Sequence, residues 1–169
     1  MDILTLKNEL LIQVEKCLEN VKDPEIPSVS VVDLGMIEEI KILESNKVHI
    51  KALPTFLGCP ALEIIRKKIT DTVLQISEVT SVEVEFIYHP PWTSDRISEV
   101  GKEKLKQFGI APPPVFNEEI HEWKVECPYC GSYYTTMENL FGPTACRSIL
   151  YCKACKNPFE AMKPISNLM

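Results

Sequence analysis

Five cysteines gather near the C-terminal end of this 169-residue chain, in VECPYCGSYYTTMENLFGPTACRSILYCKACKNPFEAM. Cys127 and Cys130 form one Cys-x-x-Cys pair, and Cys152 and Cys155 form a second, with 21 residues between the pairs. Two thiolates joined by a tight turn can fill two corners of a tetrahedron, so two such pairs predict a four-cysteine metal site. The interval is slightly longer than is usual for such sites, and Gly131 relieves the backbone just after the first turn. A segment of about 55 residues can hardly bury enough apolar surface to fold alone, so the metal is expected to supply much of its stability. Zinc suits paired knuckles, with an iron-sulfur cluster as the alternative. The fifth cysteine, Cys146, is separated from Cys130 by 15 residues, inside the usual interval. It is open to four readings: a replacement ligand, a cluster ligand, a reactive thiol, or a small residue packed beside the metal.

A second thiol stands in LPTFLGCPALEII. Pro60 fits the first position of a helix, which places Cys59 at the N-cap, where unpaired backbone N–H groups favour an anion. The helix dipole contributes roughly 0.3 to 1 kcal/mol there, enough to lower a thiol pKa by up to about one unit. Gly58 lets a ligand or another backbone approach, and Thr55 can reach the same turn. The plain alternative is a buried cysteine at a helix start, without chemistry. Three carboxylates, Asp23, Glu25 and Asp33, lie on or beside VKDPEIPSVSVVDLG, a loop set by Pro24, Pro27 and Gly35. Asp33, before Leu34 and Gly35, also suits a turn cap. Cys17 belongs to an apolar helix face, and His49 to the solvent face of a strand. His89 has no second histidine at ligand spacing, while His121 and Glu122 read as surface residues.

Composition narrows the class. The chain is 45% hydrophobic and 25% charged, and it has no apolar run near the length of a membrane span. The start, MDILTLKNELLIQVEKCLENV, lacks the pattern of a secretory signal, so a cytoplasmic protein with reduced thiols is expected. A net charge of -6 argues against unaided binding to phosphate backbones. Residues 115–169 hold five Lys or Arg against six Asp or Glu, which leaves no basic footprint for nucleic acid. A thiol-disulfide oxidoreductase is disfavoured, because the two pairs share zinc spacing and no βαβ context surrounds them.

The elements that must position these groups follow from periodicity. Apolar residues at helical spacing predict helices over 3–21 and 60–76, and alternation predicts strands in MIEEIKIL, KVHIKAL and SVEVEFIY, the first two joined by the polar turn ESNK. The order favours an α+β fold: a small three-stranded mixed sheet with helices on one face, plus a C-terminal zinc β-ribbon. A third helix is predicted after HPPWTSD, capped by the Thr-Ser-Asp cluster and stopped at Gly109. Pro112, Pro113 and Pro114 read as a semi-rigid linker. The expected domains are therefore 1–110, including the third helix, a linker at 111–118, and the ribbon at 119–169.

DPEIPSVSVVDLG together with PTFLGCP resembles the signature of the small SufT-like family associated with iron-sulfur cluster assembly. YHPPWTSDRISEVGKEKLKQFGIAPP, CPYCGS and FGPTACRSILYCKACKNPFE are similar to its PaaD (PaaJ) branch, and the likeness runs from about residue 10 to about residue 163. Phe56-Leu57 and Pro143 depart from the usual pattern without touching a candidate ligand. The resemblance implies an accessory factor, not itself a catalyst. Its partners would be the oxygenase subunits of a phenylacetyl-CoA epoxidase complex, whose diiron or iron-sulfur centre it would help to assemble. It also adds Asp23 and Glu25 to one wall of the Cys59 pocket, where carboxylates beside a thiol make more sense around a metal than beside a bare nucleophile. The alternative is a structural zinc-ribbon adaptor that transfers no metal.

Overall fold

The computed structural model describes residues 3–117 and 122–165 and divides into two compact units, 1–92 and 93–169. The first unit opens with α1 (Ile3–Leu18), followed by β1 (Ile37–Ile42), β2 (Lys47–Ala52), α2 (Leu62–Val73) and β3 (Ser81–Phe86). β1 runs antiparallel to β2 and β2 parallel to β3, which makes the three-stranded mixed sheet expected from the element order. Period-two alternation sends Val48, Ile50 and Ala52 to one face, paired in register with Val82, Val84 and Phe86. α1 and α2 cover that face, burying Leu10, Val14 and Leu18 from one helix and Ile65, Ile69 and Val73 from the other. The opposite face carries Glu39 paired with Lys41 and Lys51, exposed or half-exposed ion pairs that contribute little to stability, and His49 Nε2 at 3.3 Å from Glu85 Oε2.

The connection from α1 to β1 is ordered by its own side chains. Asp23 Oδ1 accepts the N–H groups of Glu25 and Ile26 at 2.8 and 2.9 Å. Ser30 and Asp33 cap each other: Asp33 Oδ2 accepts from Ser30 N at 2.9 Å, and Ser30 Oγ accepts from Asp33 N at 3.0 Å. Gly35 closes the turn at φ +64°, a conformation costly for residues with a Cβ. Trp92 is buried and its indole N–H donates to the Leu34 carbonyl at 2.8 Å. Cys17 lies on the inner side of α1, where burial raises its thiol pKa.

The second unit contains α3 (Glu99–Gln107), β4 (Ile110–Ala111), β5 (Val115–Asn117), β6 (Glu122–Lys124), β7 (Thr135–Asn139), β8 (Arg147–Cys152) and β9 (Pro158–Met162). Its four-stranded sheet has the order β4-β9-β8-β7, while β5 and β6 form a separate hairpin. The expected division set the third helix in 1–110, and the two compact units part earlier, at 92/93. The third helix groups with the ribbon, because Ile110 and Ala111 pair in parallel with Glu160 and Ala161, and α3 packs on β4. The three prolines, 112–114, directly follow that buried strand.

Two helix starts also differ from expectation. Thr93-Ser94-Asp95 leads a short 3-10 turn, and α3 is capped instead by Ser98, whose hydroxyl accepts from Gly101 N at 2.9 Å. α2 begins at Leu62 with Ala61 at its cap, so Cys59 is not the N-cap. Instead the Cys59 carbonyl accepts Leu62 N–H at 3.3 Å in a tight lead-in turn. Pro60, with fixed φ and no N–H, suits that turn as well as a helical first position. Among the described residues no helix is long and apolar enough to cross a membrane.

Candidate metal centre

The four predicted cysteines converge. Their sulfurs all lie within 4.8 Å of one another, with Cys127 Sγ to Cys155 Sγ at 3.7 Å and Cys130 Sγ to Cys152 Sγ at 3.6 Å. A disulfide needs about 2.05 Å, so these are not bonded pairs. Four thiolates at about 2.3 Å from one tetrahedral ion stand about 3.8 Å apart, and the observed spacing fits that figure.

The two turns that bring the sulfurs together are built alike. In the first, Gly131 N–H donates to the Cys127 carbonyl and Cys127 N–H to the Ser132 carbonyl, both at 2.9 Å. In the second, Lys156 N–H donates to the Cys152 carbonyl and Cys152 N–H to the Asn157 carbonyl, again at 2.9 Å. Each turn needs a left-handed residue directly after its second cysteine: Gly131 at φ +72° and Lys156 at φ +64°. Glycine takes that conformation freely, whereas lysine adopts it at a cost of about 1–2 kcal/mol. Backbone N–H groups of Ser132 and Asn157 also point at the sulfurs of Cys130 and Cys155; at Cys130 the Ser132 contact is outweighed by burial and the neighbouring Cys152 and Cys155 thiols, which raise its pKa, whereas at Cys155 the Asn157 contacts prevail.

The electrostatics of the four differ before any ion binds. Burial pushes the Cys127 thiol up to about 12, while the Asn157 side chain, donating to Cys155 Sγ at 3.5 Å, brings Cys155 down to about 6. A divalent cation among the sulfurs holds all four as thiolates. Cys127 and Cys152 are buried, Cys155 is half-buried and Cys130 is exposed, so one side of the site faces the ribbon core and the other faces out. That core is small: Ala111, Val125, Leu150, Phe159 and Ala161 surround the two buried ligands.

The other predicted site residues are placed as follows. Cys146 is not one of the four; its sulfur lies 3.3 Å from Thr144 Oγ1, and the tetrahedron is complete without it. Cys59, Thr55 and Glu25 are half-buried, and Asp23 and Asp33 hold backbone turns. Among the described residues, Cys59 and these carboxylates form no second group of converging ligands. His121 lies outside the described residues, as does the side chain of Glu122. Sequence reasoning missed Asn157. The repeated turn CPYCGS and CKACKN offers the signal, since Asn157 stands where Ser132 stands in the first copy.

Residues 111–163 match the family described as PaaD zinc beta ribbon domain, and residues 12–86 match Iron-sulfur cluster assembly protein. Over 149 residues the chain is 35% identical to a putative 1,2-phenylacetyl-CoA epoxidase subunit from Escherichia coli (strain K12), covering 88% of this chain and 89% of that protein. The chain belongs to the PaaD family. The PaaD ribbon match opens at Ala111, the residue through which β4 joins β9. Other relatives match about half of the chain. The Fe-S protein maturation auxiliary factor YitW of Bacillus subtilis is 35% identical over 85 residues, 50% of this chain and 82% of that protein. A solved structure, the Domain of Unknown Function DUF59 from Bacillus anthracis, superposes with a TM-score of 0.56 at 30% identity, covering 60% of this chain and 96% of that one.

Proposed function

We propose that this PaaD-family chain is an accessory factor that helps a multicomponent oxygenase acquire its metal centre, the client being the ring-epoxidising enzyme of phenylacetyl-CoA. The observation that carries this reading is the joining, in one chain, of an iron-sulfur-assembly unit to a four-cysteine ribbon. Relatives that match about half of the chain are named Fe-S protein maturation factors, and the relative that matches most of it is named for a phenylacetyl-CoA epoxidase.

Zinc is the resident ion of the ribbon in this reading, held by Cys127, Cys130, Cys152 and Cys155. A cluster spreads its four cysteines over at least two irons, so some of their sulfurs stand well apart, whereas these four all lie within 4.8 Å of one another, at single-ion spacing. Zinc there is structural: all four positions are protein thiolates, which leaves none for substrate. Cargo iron or a cluster would be met by Cys59 in the first unit, with Thr55 in the same segment and, as the family resemblance implies, Asp23 and Glu25 from the loop that Asp33 helps to shape. The deciding experiment compares the iron content and activity of the purified client oxygenase from cells with and without this protein. A metal-poor client that recovers on reconstitution supports maturation.

A structural adaptor is the second reading, favoured by one observation: Asp23 Oδ1 and Asp33 Oδ2 each accept backbone N–H groups, so these carboxylates offer less to a metal. Cys59→Ser separates the two. A maturation factor carrying that change keeps its zinc and leaves the client iron-poor, whereas an adaptor carrying it supports a fully active client.

A further inference from the structure

β7 is the terminal strand of the ribbon sheet, and its neighbourhood exposes large apolar side chains in a run: Tyr133, Tyr134, Met137, Leu140 and Phe141, the last 74% exposed. Isolated exposed apolar residues are ordinary, but five within nine residues on and around a terminal strand mark a binding surface or an aggregation hazard. Natural edges are usually guarded by lysine or proline on the strand itself. Here the strand reads TTMEN, and its guard is a bulge between Met137 and Asn139. The regular edge is therefore short, and the flanking aromatics must supply much of any contact area.

The charge around this strip has one sign at its two ends. Lys153 Nζ lies 5.3 Å from the centre of the Tyr134 ring, and Lys163 Nζ lies 5.4 Å from that of Phe141. Lys163 also donates to the Ala145 carbonyl at 2.8 Å, which fixes its ammonium group without neutralising it. Among the described residues neither lysine pairs with a carboxylate. Tyr134 and Phe141 are seven residues apart, roughly 20 Å along extended chain. Glu138, within the bulge, is the strip's own carboxylate. The net charge of -6 resides elsewhere: residues 1–92 hold fifteen Asp or Glu against nine Lys or Arg, and residues 93–169 hold nine of each.

We propose that the strip from Tyr133 to Phe141 docks an extended, acidic segment of a partner protein, with apolar side chains against Met137, Leu140 and Phe141 and carboxylates at the two lysines. An open strand edge selects an extended partner, because main-chain groups can continue the ladder. Lysines held over aromatic rings select its charge, since the ammonium groups are placed and still solvent-facing. Such docking is independent of any transfer chemistry at Cys59, because it concerns only how the ribbon is held by another protein.

The test is photo-crosslinking of the full chain in its own cells, with p-benzoylphenylalanine in place of Phe141 and, as a control, in place of the exposed Ile12 of α1. Adducts are sequenced to the segment level. The expected result is one protein joined at position 141 and not at position 12, through a segment rich in Asp and Glu that is extended in the partner. Reversing both charges, Lys153→Glu with Lys163→Glu, should cut adduct yield at least tenfold while zinc content stays the same. If the reversal costs zinc, the milder Lys153→Gln with Lys163→Gln replaces it. The proposal is overturned by no adduct above the control, by adducts only to a second copy of this chain, by attachment to a basic or helical segment, or by indifference to the charge changes.

Discussion

The two units bury their interiors by different means. In residues 1–92 the largest fully buried side chains are apolar, among them Leu18, Leu34, Met36, Ile50, Leu53, Ile65 and Ile69, contributed by two helices, a sheet face and their connections. In the ribbon, two members of a small core, Cys127 and Cys152, also belong to the converging four-cysteine group, with Cys155 packed against that core. Hydrophobic burial scales with area, so the first unit can lose one contact and stay folded. The ribbon has too little area for that, and its ligands belong to its packing. Metal binding and folding should be one event there, whereas the first unit should fold on its own core without metal.

The sharpest way to break this contrast is to remove a ligand. Cys127→Ser should abolish stoichiometric zinc, forfeiting a binding contribution on the order of 10 kcal/mol, so that metal analysis of the purified variant finds little or none. Cys146→Ser should retain zinc as the wild type does, since its thiol faces Thr144 and not the other sulfurs. A Cys146→Ser chain as metal-poor as Cys127→Ser would show that the tetrahedron is wrongly assigned.

A core truncation in the first unit should act the other way. Ile69→Ala removes a fully buried side chain from α2 and should cost about 2–5 kcal/mol in denaturant unfolding of that unit, with zinc content unchanged. The smallest effects sharpen the comparison between the ribbon's two turns. Gly131→Ala forces a Cβ into left-handed backbone and should destabilise the ribbon by about 1 kcal/mol, whereas Lys156→Gly relieves the same conformation and should stabilise it by a similar amount. Competition with a chelator of known affinity reads both, as opposite shifts in zinc retention.

What the sequence revealed follows the same division. The four-cysteine cluster was legible because each knuckle is local: two cysteines, a tight turn and a left-handed residue lie within five positions. α1, α2 and the three strands were legible from apolar spacing, since each buries one face. The allegiance of α3 was not. It depends on Ile110 and Ala111 pairing with Glu160 and Ala161, fifty residues further along, and nothing local in GIAPPP signals that partner. The Cys59 position failed differently, because Pro60 satisfies a lead-in turn and a helical first turn equally well, and backbone pairing chose the turn.

Hydrogen exchange of the zinc-bound full chain, before and after a strong chelator, tests the central claim most directly: the ribbon folds on its metal and the first unit folds on its own core. Protection should be lost over residues 122–165 and over α3, which shares their unit, while α1, α2 and the β1-β2-β3 sheet keep theirs. Retained protection in β8 and β9 after the metal is gone, or loss across both units together, would contradict it.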